Sequence, residues 1–231
     1  MTKENEFETY LYISDNKVLI SDFSKLDLRC LYKDEINFKN KIDSDLLNKF
    51  LQKNVLKIEK MNNHFIKKIN LIIDDNIFLS IDIGIKKIIN NEIISEKIRP
   101  KILINLINEL KNNYSDSLII HFLINSYLFD DFRTSDFNKI IKCNSFSLEA
   151  TCILIKRKDI NYYQNILKKY QITIDKIISG KYLKSFEGMH AFNECEIGLR
   201  ISSGLNSNEV FLIPKVDKNK GFFEWFFNLF S

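Results

Sequence analysis

Between residues 10 and 20 apolar side chains gather on either side of a polar break (YLYISDNKVLI), which predicts two short strands around a turn at Asp15-Asn16. Leu26 to Tyr32 is expected to add a third strand to this antiparallel start. From Asp43 or Ser44, each a good N-cap, apolar residues recur at Leu47, Phe50, Leu51, Val55, Ile58, Met61 and Phe65 with helical spacing. That spacing predicts one long amphipathic helix with a single core-facing stripe. Ile69 to Ile73 and Ile77 to Ile85 are apolar and β-branched, and the polar Asp74, Asp75 and Asn76 between them predict a hairpin.

Ser95 and Glu96 open a second helix with its stripe at Ile102, Leu103, Leu106, Ile107 and Leu110. Pro100 is the alternative first residue, because it lacks the backbone donor that a helix interior needs. Two strands follow, Ser117 to Phe129 and Phe146 to Ile155, joined by a polar connection from Asp130 to Asn144. Asp159 is expected to cap a third helix bearing Ile160, Tyr163, Leu167 and Tyr170, and Ile172 to Ile178 returns as a strand. A last helix from Ala191 to Ser203 ends at Gly204, and Glu209 to Ile213 reads as a short strand stopped by Pro214. The pattern as a whole is α+β.

Composition narrows the class. With 231 residues, 45% hydrophobic and 28% charged, the chain buries a core and is neither disordered nor of a membrane-spanning type. Its 34 Lys and Arg are nearly matched by 30 Asp and Glu and are scattered, so no basic stripe marks nucleic acid as a partner. Cys30, Cys143, Cys152 and Cys195 form no C-x-x-C spacing and read as reduced, buried thiols of a cytosolic protein. The polar, acidic stretch Met1 to Glu8 is not that of a signal peptide.

Chemistry-bearing patterns are scarce. His64, His121 and His190 fall in no ligand motif, so no metal is expected, and His121 in an apolar strand reads as a structural histidine. No nucleophile elbow, phosphate-binding glycine loop or dinucleotide fingerprint occurs, so no catalytic residue and no cofactor are assigned. Asp82-Ile83-Gly84 imitates the start of a phosphate loop, but Ile85 stands where a hydroxyl residue belongs and the stretch is embedded in a strand.

The ending KNKGFFEWFFNLFS places Phe222, Phe223, Trp225, Phe226, Phe227, Leu229 and Phe230 on an arc of roughly 200 degrees when wound as a helix. Lys215, Lys218 and Lys220 lie just upstream and suit anionic head groups. The expectation is a membrane-surface segment, with an ordinary packed terminal helix as its rival.

The stretch IIHFLINSYLFDD, with His121, Tyr127 and Asp130, resembles the H-x-x-P-x-x-Y-x-x-D stretch of the SHS2 (1C) subdomain in the FtsA family of actin-like bacterial cell-division proteins, with Ile124 in place of the proline. LEATCILIKRKDINYYQNILKKYQITIDKII is similar to the strand, helix and G-L-x-V-D strand that follow in that family, and YLYISDNKVLI to a worn version of its first strand pair. The C-terminal segment is similar in character to the amphipathic helix that tethers the family. The resemblance implies a remnant actin-like sheet and helix over 1–66, an SHS2-like strand-helix-strand-strand module over 67–186, a helix and strand over 187–214 returning to the N-terminal sheet, and a tether with membrane helix over 215–231.

The chain is too short for the remaining actin-like subdomains, so neither ATP binding nor contact with FtsZ carries over. What the resemblance implies is a non-catalytic adaptor on the inner face of the cell membrane, in contact with other division proteins or with like subunits. The alternatives are a cytoplasmic scaffold of a pilus or secretion platform, and a degenerate actin-like ATPase completed by a partner.

Overall fold

The turn at Asp15-Asn16 joins β1 (Phe7–Ser14) to β2 (Lys17–Ser24) as an antiparallel hairpin, with Ile13 opposite Val18 and the Ser14 hydroxyl accepting from the Lys17 amide at 3.1 Å. The computed structural model describes residues 6–39, 42–94, 99–135, 141–186, 188–189 and 191–210. Two compact units emerge, Met1–Phe78 with Lys158–Leu205, and Leu79–Arg157 with the described residues from Asn206 onward.

In the first unit β3 (Cys30–Asn37) pairs antiparallel with β2. The expected third strand therefore starts later than Leu26, because Leu28 takes a left-handed conformation (φ 56°) and turns the chain first. Helix α1 (Ser44–Asn62) is capped by Asp43, whose Oδ1 accepts from the Leu46 amide at 2.8 Å. Its buried stripe is Leu47, Phe50, Leu51, Val55 and Ile58. Met61 and Phe65, expected on that stripe, are exposed: Met61 lies in the last turn of the helix, and Phe65 lies beyond it because Asn63 ends the helix in the left-handed region.

β4 (Lys68–Asp74) pairs parallel with β1 on one side and with β9 (Thr173–Ser179) on the other, giving the order β3-β2-β1-β4-β9. Parallel neighbours need a crossover, and α1 supplies it between β1 and β4. The hairpin expected between Ile69 to Ile73 and Ile77 to Ile85 does not form: β5 (Phe78–Ile94) belongs to a different sheet. Ile69 through Ile73 are buried without alternation, which is the pattern of a central parallel strand with both faces covered.

Alternate residues of β1 meet different helices. Thr9 lies on the side of α1, where Asp22 accepts hydrogen bonds from both Thr9 and Asn62. Tyr10 faces α5 (Glu194–Ser202), where a side chain at Gly198 would collide with Ile72. Asn193 and Glu196 close a reciprocal capping box at the start of α5, and Gly204 (φ 90°) follows its end. Helix α3 (Arg157–Lys168) begins two residues before Asp159, which sits in its first turn rather than capping it, because β8 (Ile141–Lys156) runs straight into the helix. The single-turn α4 (Gly180–Lys184) follows β9.

In the second unit the sheet order is β5-β8-β6-β7, with β6 (Ser117–Phe129) antiparallel to β8 and to β7 (Phe132–Thr134). β7 lies inside the expected polar connection, and three residues are too few to show a period. Helix α2 (Arg99–Asn113) starts one residue before Pro100, in the first turn, where a proline is tolerated. Its Ile102, Leu103, Leu106, Ile107 and Leu110 cover Phe122, Ile124, Phe129, Phe146, Leu148 and Ala150.

Of the strand expected over Glu209 to Ile213 beside Tyr10–Ile20, Glu209 and Val210 lie along β6, and 211–213 lie outside the described residues. Glu209 pairs with Leu123, the Ile124 amide donates to Asn208 O at 2.9 Å, and the Val210 amide to Phe122 O at 2.8 Å. β1 and β2 each already have a neighbour on both sides, whereas β7 covers only Tyr127 to Phe129 of β6. No helix among the described residues is long and apolar enough to cross a membrane.

Candidate protein-contact face

The three residues of the H-x-x-P-x-x-Y-x-x-D-like stretch occupy structural positions in the second unit. His121 is buried, with Nδ1 2.7 Å from Glu209 Oε1. Tyr127 is buried and its ring stacks on Phe146, centroids 6.2 Å apart. Asp130 adopts φ 51° after β6, and its carboxylate accepts from the Asn144 and Ser145 amides at 2.8 to 3.1 Å and from the Ser145 hydroxyl. Those backbone hydrogen bonds hold its carboxyl below the ordinary value. The sequence signalled these positions only through the resemblance, and none of the three is gathered with another into a cleft.

Side chains on the sheet face away from α2 form two polar rows that cross the strands. In one, Asn125 Nδ2 on β6 donates to Thr151 Oγ1 on β8 at 2.9 Å, and Thr151 donates to Asp82 Oδ1 on β5 at 2.6 Å. In the other, the Ser126 hydroxyl donates to Glu149 Oε2 at 2.8 Å, and Arg133 on β7 holds the same carboxylate with two nitrogens at 2.7 and 3.2 Å. Hydrogen bonds from Ser126 and Arg133 lower the Glu149 carboxyl. Arg133 and Glu149 are exposed, so this is a ready-ordered, charged surface on a sheet whose other face is the core. The alternation of β8 could have suggested the outer face; the pairing across strands required the register.

Elsewhere the polar groups are engaged structurally. A cavity of about 250 Å³ in the first unit is lined by Asp15, Asp43, Asp75, Asp159, Tyr162 and Tyr163 among apolar residues. Asp43 is the α1 cap, and Asp75 accepts from the Asn76 amide. Burial and the nearby Asp75 raise the Tyr163 phenol far above its ordinary range. Among the described residues no three His, Cys, Asp or Glu converge to hold a metal ion. The four cysteines are free, and burial pushes the Cys152 thiol up to about 12, away from thiolate chemistry. His190 and the C-terminal membrane-binding candidates Lys218, Lys220, Phe222, Phe223, Trp225, Phe226, Phe227, Leu229 and Phe230 lie outside the described residues.

No family model matches the chain, and no curated protein matches it. Solved structures do show similarity. One is the cytoplasmic domain of EpsL, an inner membrane component of the type II secretion system of Vibrio cholerae, at 10% identity and TM-score 0.37 over 75% of this chain. A second is the PilM-PilN type IV pilus biogenesis complex, at 5% identity and TM-score 0.49 over 76% of this chain. A third is a Bacteroides thetaiotaomicron protein described as having an actin-like ATPase fold and unknown function, at 13% identity and TM-score 0.30 over 80%. The chain spans 55%, 48% and 57% of those three chains, about half of their length. None of them is described as a cell-division protein, and scores this low decide nothing about function.

Proposed function

We propose that the chain is a non-catalytic adaptor that offers the outer sheet face of its second unit to protein partners and is held on a membrane surface by its C-terminal segment. The observation that carries the reading is the pair of cross-strand polar rows, Asp82-Thr151-Asn125 and Glu149-Ser126-Arg133. Each side chain in them is oriented by its neighbours on the outer sheet face, where Asp82, Arg133 and Glu149 are exposed. Preordered charged groups bind a partner with little further loss of side-chain freedom. The aromatic and basic composition of 215–231 supports the membrane part.

The resemblance to FtsA sets this adaptor among division proteins, and the alternative setting is a pilus or secretion platform. Partners recovered from membranes by the full chain, and lost with Glu149→Arg, separate the two settings. Liposome flotation tests the tether: the full chain floats with anionic vesicles and a version ending at Val216 does not. Equal flotation removes the membrane from the reading, and heat released on nucleotide titration of the full chain removes the non-catalytic part.

A further inference from the structure

The long strand β5 forms one border of the second sheet, and among the described residues its outer edge pairs with nothing. The opposite border is closed by two short pieces, β7 along Tyr127 to Phe129 and the Asn208–Val210 stretch along Phe122 to Ile124. An open edge of this length is a template for another strand unless something guards it. Lys86 and Lys87 are the residues that would guard it.

Gly84 sits in the middle of this edge with no reason inside the subunit. Its φ is not positive, and an added Cβ would meet only Leu148 O at 3.9 Å, an ordinary contact. A glycine in a strand interior weakens it and marks a place where another backbone approaches closely. The run before Asn90, which breaks it with φ 50°, is Phe78 to Ile89, and Gly84 is one of its two central residues.

We propose that β5 pairs antiparallel with β5 of a second copy of this chain, about a two-fold axis at Gly84. In that register Asp82 of each copy stands opposite Lys86 of the other, twice over, on the solvent face where both are exposed. Ile83 stands opposite Ile85, also twice, on the face where these partly buried side chains meet the core. Leu79, 48% exposed, comes opposite Ile89. Moving the axis two residues toward the C-terminus puts Lys86 opposite itself, so charge disfavours that register, and an axis one residue on forfeits both Asp82–Lys86 pairs. The lysine that repels a wrong strand is neutralised only by the correct one.

Analytical ultracentrifugation of the full chain tests this through a charge swap. The wild type sediments as a dimer. Asp82→Lys and Lys86→Asp each turn two opposite-charge pairs into two like-charge pairs and weaken dimerisation about tenfold or more, while the double variant restores it. Unchanged far-ultraviolet spectra show that the variants fold. A wild-type monomer, including one whose β5 edge is taken by a strand of another protein, overturns the proposal, as does a dimer unmoved by the single reversals or not restored by the double. Flotation depends on neither residue, so failure here leaves the adaptor reading standing.

Discussion

Glu209 places Oε1 2.7 Å from Nδ1 of His121 across 88 residues of chain, and both side chains are buried. The contact fastens the stretch after α5 to the edge of β6, beside the backbone bonds made by Asn208 and Val210. Removing one partner takes from a buried polar group its 2.7 Å contact. Glu209→Ala is expected to lower the unfolding free energy of the second unit by about 3 kcal/mol, and His121→Ala by a similar amount. In urea denaturation the double variant loses less than the sum of the two, because both truncations remove the same contact. Strict additivity would show that the pair does not act as a unit.

Asp130 gives a pH signature. Its carboxylate closes the turn after β6 by accepting backbone hydrogen bonds from Asn144 and Ser145, which favour the charged form and lower its pKa from the ordinary 3.8. A folded-state pKa below the unfolded value means that the contribution is present above the unfolded value and is lost as pH falls through the folded one. Asp130→Ala is therefore less stable at neutral pH, and the deficit shrinks on acidification below about 4. Denaturation midpoints of the two proteins across that range check the convergence; parallel curves would contradict it.

Asp22 has the opposite sign. Burial raises its pKa, and hydrogen bonds from Asn62 and Thr9, both 2.7 Å long, only partly offset the desolvation. The folded state holds the proton more tightly than the unfolded one, so stability declines as pH rises from the ordinary value of 3.8 through the raised one. Asp22→Asn removes this decline while leaving one oxygen to accept from Thr9 or Asn62. Stability measured against pH should be flatter over that interval for the variant, and an unchanged slope would place the proton elsewhere.

Elements with a period were legible in the sequence, and pairings were not. The α1 stripe from Leu47 to Ile58, the 13-residue β6 and the Gly204 stop after α5 follow from local spacing and capping chemistry, whereas α5 starts at Glu194 rather than at the expected Ala191 because Asn193 caps it. Local pattern does not say which sheet a strand joins. Ile69 to Ile73 and Ile77 to Ile85 look like hairpin arms, yet the first is buried on both faces in one sheet and the second, from Phe78 onward, borders another. The place of Glu209 beside Leu123 follows from the stretch of β6 that β7 leaves uncovered, which local pattern does not show. The Asp82-Thr151-Asn125 row joins residues from three strands, so only their register brings it into being.

Three glycines should respond differently to alanine, in the order their surroundings dictate. At Gly180 an added Cβ falls on the backbone and side chain of Asp74 at the end of β4, and backbone cannot yield. At Gly198 the obstacle is the terminal carbon of Ile72, 2.6 Å away, which a rotamer change can withdraw at a packing cost. At Gly84 the new methyl meets Leu148 O at 3.9 Å and gains the higher strand propensity of alanine over glycine. Gly180→Ala is expected to destabilise by about 2 to 3 kcal/mol and Gly198→Ala by about 1 to 2, overpacking being the cause in both. Gly84→Ala should leave the unfolding of the isolated chain within about 0.5 kcal/mol of wild type. Thermal and urea unfolding of the three variants establish the ranking. A large loss at Gly84 under dilute conditions would mean that the glycine is needed within the subunit, which would take away the reason for assigning it to a second copy.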